Sequence, residues 1–190
     1  MMSESYVGPA MSQWDFPMKK DMLINKYLPH YTFKEYHEIV VDSPIATVYD
    51  VANDVDLSKS KTIKWLFKIR GLPTQRLNLQ NFIHDMGFTH LESNAPYETV
   101  IGFWTRVKIA PIPSYEDFIN NSISPWIKAV WNFQCDALGE NITKVSTETR
   151  VLCVAPFTHI TFRLYWLVIK PFSGLTRKKM LQIIKEDSKE

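Results

Sequence analysis

An acidic and a basic side chain, Glu148 and Arg150, stand two positions apart in the segment VSTETRV, and a further guanidinium, Arg106, lies on an earlier segment. Inside an apolar container such groups can orient the polar head of a ligand or polarise a carbonyl group. Charges at i and i+2 on the polar face of a strand are more commonly solvent-facing or cross-strand pairs. Arg106 and Glu148 are therefore candidate ligand-orienting residues, and a polar outer face of a sheet is the alternative.

Large aromatic side chains form a second candidate group. Aromatic residues make up 13% of the chain, with six Trp and eleven Phe. Such an excess is typical of a core built around a cavity and equally of an ordinary filled core. The candidate wall residues are Trp104, Trp131, Phe133, Phe162, Tyr165 and Trp166.

Other kinds of chemistry have little support. His84, Asp85, His90 and Glu92 carry metal-ligating groups, but their spacing matches no zinc signature, so no metal and no cofactor is predicted. The chain contains no phosphate-binding glycine loop and no nucleophile elbow. Its net charge of +2 gives no support to a nucleic-acid partner.

The elements that must position the candidate residues begin with a strand at Lys34–Asp42. Ser43 and Pro44 start a first short helix, and a second one covers Lys61–Ile69 and ends at Gly71. From there to Cys153 the pattern predicts strands near residues 77–84, 87–92, 97–107, 127–137 and 143–153. The proline-rich segment 109–125 is predicted as an edge strand or a lid loop.

The last two strands form a hairpin about Gly139–Asn141, and their alternation separates two faces. One face carries Trp131, Phe133, Val145, Thr147, Thr149 and Val151, and the other carries Asn132, Gln134, Ser146, Glu148 and Arg150. This register puts Cys135 opposite Val145, so Cys135 and Cys153 are predicted to be buried free thiols.

A long C-terminal helix follows the hairpin. Its apolar stripe has the spacing of a helix with one buried face and consists of Phe162, Trp166, Ile169, Ser173, Thr176, Met180 and Ile183. Pro171 lies inside this pattern and predicts a bend. Arg163, Lys170 and Arg177 recur every seven residues in a stretch without acids, which predicts either a solvated outer face or weak contact with an anionic membrane surface.

The chain shows no signal-peptide pattern, and its most apolar run, Ile160–Ile169, is too short to span a bilayer. A cytoplasmic location is therefore predicted. The oligomeric state is left open by the sequence.

The order strand, two short helices, several antiparallel strands and one long helix resembles the START-like or helix-grip superfamily (SRPBCC, polyketide cyclase-like). The resemblance rests on EYHEIVVDSPIATVYDVANDVD at 35–56, VSTETRV at 145–151 and FRLYWLVIKPFSGLTRKKML at 162–181, and the last two segments resemble a bacterial branch of it. It implies an α+β helix-grip fold, with a curved antiparallel sheet of six or seven strands wrapped around a long kinked helix. Residues 33–190 would form this domain, after an N-terminal arm at 1–32.

The function expected from this reasoning is binding of an apolar or amphipathic small molecule, lipid-like or polyketide-like, in a cavity between sheet and C-terminal helix, without catalysis. One alternative is a cyclase, dehydratase or hydrolase-like enzyme that uses the same cavity. Another is a lipid-carrying module that docks on a membrane or a partner protein.

Overall fold

The computed structural model describes residues 22–72, 74–75, 77–106, 108–120 and 124–189, which form an α+β fold. The helices are α1 (Leu23–Tyr27), α2 (Ile45–Asn53), α3 (Lys61–Ile69), α4 (Leu79–Asp85), α5 (Tyr115–Asn120) and α6 (Thr158–Asp187). The strands are β1 (Phe33–Val41), β2 (Thr89–Asn94), β3 (Glu98–Thr105), β4 (Ile109–Ala110), β5 (Ile127–Gly139) and β6 (Ile142–Cys153). The two short helices after the first strand and the long final helix are confirmed.

All six strands belong to one curved antiparallel sheet in the order β1-β6-β5-β3-β2, and β4 adds to β3. The β5–β6 hairpin at its centre has the predicted register. Cys135 lies opposite Val145, and Cys153 lies opposite Ile127. Both thiols are buried and unpaired, and burial raises the pKa of Cys135 to about 12.

Helix α3 begins and ends where the sequence predicted. The Ser60 hydroxyl accepts a hydrogen bond from the Ile63 amide at 3.2 Å, which caps the first turn. The chain leaves the helix at Gly71, whose φ of +64° lies in the left-handed region that favours glycine.

The segment 77–84 was predicted as a strand and is mostly helix α4 instead. Asn78 caps this helix, because its side chain accepts a hydrogen bond from the Gln80 amide at 3.0 Å. The buried residues Leu79, Phe82 and Ile83 follow the helical spacing i, i+3, i+4. The cap at Asn78 was the sequence signal that favoured a helix over a strand here.

The segment 109–125 contains the predicted edge strand, β4, and also a helix, α5, that was not predicted. The side chain of Ser114 accepts a hydrogen bond from the Asp117 amide at 3.1 Å, which starts α5. Phe118 of α5 is fully buried against Tyr27 and Trp104. This part of the segment therefore packs on the sheet rather than forming a free lid.

The sheet separates two cores. On the concave side, residues of α2, α3, α4 and α6 pack against inward side chains such as Ile101, Phe133 and Val145. On the convex side, α1 and α5 cover Val100, Trp104 and Val130. Because successive side chains of a strand point to opposite faces, neighbouring residues of β3 and β5 belong to different cores.

Helix α6 packs on the concave side and remains helical through Pro171. Its predicted stripe faces inward, with Met180 and Ile183 buried and Phe162, Trp166 and Ile169 half-buried. The bend at Pro171 stays a prediction. No helix in the described ranges has a run long and apolar enough to cross a bilayer.

Candidate ligand-binding cavity

A cavity of about 370 Å³ lies between the concave face of the sheet and α6. Its volume falls at the lower end of the roughly 300–1,000 Å³ that is usual for ligand pockets. Its floor consists of alternate residues of the central strands, and α3, α4 and α6 form the remaining walls. The sheet contributes Ile101, Phe103, Thr105, Ile127, Ala129, Trp131, Thr149 and Val151 among its lining side chains.

Four of the predicted wall residues come together at this cavity. Trp131 lines it from β5, and Phe162, Tyr165 and Trp166 line it from α6. Phe162 and Trp166 stack with their ring centroids 5.7 Å apart, since residues four apart lie on the same side of a helix. The α6 stripe therefore supplies an aromatic wall.

Two predicted aromatic residues lie elsewhere. Phe133 faces the concave side but is fully buried in the core beside Trp131, where the ring centroids are 6.2 Å apart. Trp104 lies on the opposite face of the sheet together with Val100. The two residues are four positions apart on β3, and residues an even number apart on a strand point to the same face. Its indole N–H donates to the Pro111 carbonyl oxygen at 3.2 Å, so its polar edge is satisfied in the convex core.

The predicted ligand-orienting charges also lie away from the cavity. Arg106 is exposed just after the end of β3. Glu148 is buried on the convex face, where one carboxylate oxygen accepts from Arg150 Nε at 2.6 Å and the other lies 3.1 Å from Lys34 Nζ. Glu148 lies on the polar face that the alternation predicted, and this face turns away from α6 and the cavity because even-numbered residues of β6 point to the other side of the sheet.

The convex charges belong to a continuous hydrogen-bonded network that the N-terminal segment covers. Arg150 Nη1 donates to the Leu28 carbonyl oxygen at 2.9 Å, and the Asn132 side chain bridges the Glu148 amide and the Glu98 carboxylate. The cross-strand pair that the sequence offered as an alternative is present between Lys34 and Glu148, but the sequence did not predict that another part of the chain covers this polar face.

The carboxylate of Glu98 ends this network at the start of α1. It accepts hydrogen bonds from the amides of Leu23 (2.5 Å) and Ile24 (3.2 Å). Burial raises the pKa of Glu98, and the hydrogen bonds from Asn132 and the two amides oppose that rise. Residues 22–32 of the predicted N-terminal arm thus lie on the sheet, whereas residues 1–21 lie outside the described residues.

Two arginines bring charge to the cavity, and neither was predicted as a site residue. The Arg177 guanidinium lies over the Trp131 ring, 4.1 Å from its centroid, and Arg70 Nη2 donates to the Tyr165 hydroxyl at 3.3 Å. Burial lowers the pKa of Arg177 to about 10, so the group stays charged at neutral pH. The sequence placed Arg177 on a basic edge with Arg163, but it follows the inward Ser173 by four residues, which was the signal for its position.

Behind Arg177 the helix passes very close to β1. A Cβ atom at Gly174 would lie 2.9 Å from Glu35 Oε1, so a side chain at this position would collide with a buried carboxylate. The same Glu35 oxygen contacts His37 Nε2 at 2.9 Å, and the other oxygen has no hydrogen-bond partner among the described residues. The buried Trp131 Nε1 also lacks one there.

The four metal-ligating residues of the sequence are not arranged around a common point. His84 and Asp85 end α4, while Glu92 on β2 accepts from Lys26 Nζ at 2.6 Å and from the Tyr27 hydroxyl at 2.9 Å. Within the described part of the chain, no three His, Cys, Asp or Glu side chains are placed to hold a metal ion.

No protein-family model and no curated protein matches this sequence. Similar solved structures include CalU16 from Micromonospora echinospora, which is 12% identical over 82% of this chain and 83% of that one, with a TM-score of 0.30. The Zhui aromatase/cyclase from Streptomyces sp. R1128 is 11% identical over 83% of this chain and 93% of its own, with a TM-score of 0.34. The di-domain ARO/CYC BexL is 10% identical over 83% of this chain and 47% of its own, with a TM-score of 0.35.

Identities and TM-scores this low carry no argument about what the present chain binds. The fold follows from its own elements: two short helices after the first strand, an antiparallel sheet that curves, and a cavity between that sheet and one long C-terminal helix. The chain therefore has the helix-grip fold that the sequence resemblance implied.

Proposed function

We propose that this protein binds an apolar or amphipathic small molecule in the cavity between the sheet and α6, without catalysis. The observation that carries the proposal is the unfilled space itself. Protein cores are close-packed and contain few voids larger than a water molecule. Here about 370 Å³ remains open beneath the aromatic side chains of α6, although the core residues around it are buried.

The side chains around the cavity favour binding over catalysis. Proton transfer is most efficient from a group whose pKa lies near the working pH. The described lining residues with ionisable side chains are Arg70, Tyr165 and Arg177, and no His, Asp, Glu, Lys or Cys is among them. A cyclase, dehydratase or hydrolase-like reaction would have to use these three groups.

A matched pair of variants tests whether the cavity is the binding site. Ser173→Phe places a ring inside it, whereas Leu175→Phe adds the same ring on an exposed part of α6. Lauric acid, followed by isothermal titration calorimetry, should bind the wild type and Leu175→Phe alike and bind Ser173→Phe at least about tenfold more weakly, because apolar burial supplies most of the affinity. Equal binding by both variants would place the ligand elsewhere.

One further observation favours a carrier that docks on a membrane. The outer face of α6 exposes Ile160, Leu164, Leu167 and Val168, with exposed fractions of 63–77%. We call these four residues the outer patch; they share one helix face because they lie at i, i+4, i+7 and i+8. The first half of α6 is thus apolar on both sides.

The charges beside the outer patch indicate which surface would cover it. Arg163 and Lys170 flank it and are both exposed. Apolar side chains that enter an interface between cations at its edge suit an anionic lipid surface. Because the opposite side of the same helix lines the cavity, docking would bring an amphipathic ligand close to the membrane.

Vesicle flotation tests this docking. The wild type should float with phosphatidylcholine/phosphatidylserine vesicles and less with phosphatidylcholine alone. Leu164→Gln combined with Leu167→Gln should abolish flotation, and Val40→Gln, an exposed apolar residue of β1, should leave it unchanged. If flotation is absent and light scattering instead shows a dimer that the same double variant disrupts, a second copy of this chain covers the patch and the membrane proposal fails.

A further inference from the structure

Arg177 carries a positive charge in the cavity wall with few partners of its own. A guanidinium has five N–H donors. Its Nη1 donates to the Thr147 hydroxyl at 3.5 Å, the limit of a hydrogen bond, and its face rests on the Trp131 ring. In the described part of the chain, no carboxylate forms an ion pair with it.

A second donor beside it is also unused. Trp131 is nine-tenths buried and lines the cavity, yet its indole Nε1 has no hydrogen-bond acceptor among the described residues. A buried donor without an acceptor loses the hydrogen bond it made to water in the unfolded chain. Two neighbouring groups with unused donors at one cavity wall point to an acceptor that the described residues do not supply.

The local charge balance remains positive. Glu35 is the carboxylate close enough to raise the pKa of Arg177, while the positive charge of Arg70 lowers it. With Arg70 and Arg177 against Glu35, the formal charge at this end of the cavity is +1. The described lining residues contribute no acidic side chain.

We propose that the ligand is a long-chain carboxylate whose head group pairs with Arg177 and whose tail lies along the aromatic wall of α6. This inference rests on the proposed function, because it names the class of ligand for the same cavity. The planar fork of a guanidinium matches a carboxylate with two parallel N–H···O bonds, which a lysine cannot reproduce. Phe162, Trp166 and Ile169 provide the apolar surface for the tail.

Two probes that differ only at the head group test the proposal on the unmodified protein. Lauric acid and lauryl alcohol have the same tail, so both test the cavity and only the acid tests the guanidinium. By isothermal titration calorimetry the acid should bind roughly 10- to 100-fold more tightly, the range expected for hydrogen bonds to a charged group. Arg177→Gln should remove this preference, Arg177→Lys should restore part of it, and Lys178→Gln, an exposed neighbour, should leave it intact.

The outcomes separate this inference from the proposed function. If acid and alcohol bind the wild type equally well, the cavity takes apolar tails and recognition of a carboxylate is overturned. If neither binds, the proposed function fails together with it. If the acid is preferred and Arg177→Gln keeps that preference with an unchanged melting temperature, the head group lies elsewhere and the role of Arg177 is overturned.

Discussion

The two faces of the sheet both bury charged groups, but they treat them differently. On the convex face, Glu98, Glu148 and Arg150 are joined through Asn132 and backbone groups, with distances of 2.5–3.2 Å. On the concave face, Arg177 has one hydrogen bond at 3.5 Å, and Trp131 Nε1 has none among the described residues. Glu148 and Arg150, which the sequence singled out, are therefore among the satisfied charges.

This difference gives a rule for assigning roles to buried charges. A network with its hydrogen bonds formed inside the chain stabilises the fold, and removal of one member leaves the others uncompensated. A buried charge with unused donors at a cavity lowers stability in the free protein and is available to a ligand. We accordingly expect removal of a charge from the convex network to cost much more stability than removal of Arg177 from the concave face.

The largest effect is expected at Arg150. Arg150→Met leaves the buried Glu148 carboxylate with Lys34 as its remaining charged partner and removes the donor to the Leu28 carbonyl oxygen. The free energy of unfolding in urea should fall by about 3–5 kcal/mol. The matched variant Arg106→Met changes an exposed arginine, and its free energy of unfolding should be within about 0.5 kcal/mol of the wild-type value. Similar small effects of both variants would mean that the convex network is not structural.

Lys128 sharpens the comparison, since it is a buried charge of the convex face with a backbone partner. Its ammonium group donates to the Phe118 carbonyl oxygen and lies 4.2 Å from the centroid of that ring. Burial lowers its pKa from 10.5 to about 8. Between these values the unfolded chain binds more protons, so the free energy of unfolding should rise with pH, by up to about 3 kcal/mol.

The measurement for Lys128 is urea denaturation at several pH values between 8 and 10.5. Lys128→Met removes the titrating group, so over this interval the unfolding free energy of the wild type should rise relative to that of the variant. Below pH 8 the lysine is protonated in both states, and the difference between wild type and variant should be constant. A difference that stays constant through the whole interval would contradict the lowered pKa.

Glu98 tests how α1 is held on the convex face. Glu98→Gln replaces a charged acceptor for the Leu23 and Ile24 amides by a neutral one. The free energy of unfolding should therefore fall by about 1–2 kcal/mol. Hydrogen exchange can separate the local effect from the global one. Protection of the Leu23 and Ile24 amides should drop strongly. Protection of the β5–β6 hairpin amides should fall only by the amount that corresponds to the lower global stability. A uniform drop across the chain would argue that α1 unfolds only together with the sheet.

Among these buried charges, the smallest effect on stability is expected at Arg177. Arg177→Met removes a poorly partnered cation from the wall, so the unfolding free energy should stay within about 1 kcal/mol of the wild type or rise. The melting temperature without ligand measures this. A loss as large as that of Arg150→Met would show that Arg177 is a structural charge and would remove the distinction between the two faces.

Local sequence patterns were sufficient for much of the architecture. Alternation along 127–153 set the faces and register of the hairpin, including Cys135 opposite Val145, because the period of two leaves one register that buries a continuous apolar face. The apolar spacing over 61–69 and Gly71 bounded α3, and the spacing from Phe162 to Met180 placed the inner stripe of α6. These features depend on helix ends and on the periodicity of apolar side chains, both of which involve residues close together in the chain. They can therefore be recognised in the sequence itself.

The roles of the charged residues depended on what packs against each face, and no local pattern contains that. Glu148 and Arg150 occupy the predicted face, but only the fold places α1 and Leu28 over them and so turns a polar face into a buried network. Arg177 has the same charge as Arg163 and recurs at the same interval of seven. The spacing of four from Ser173 puts Arg177 on the inner side of α6, but only tertiary packing set it over Trp131 at the cavity and left Arg163 exposed. Burial, which sets the cost of an unpaired charge, is a property of the assembled layers.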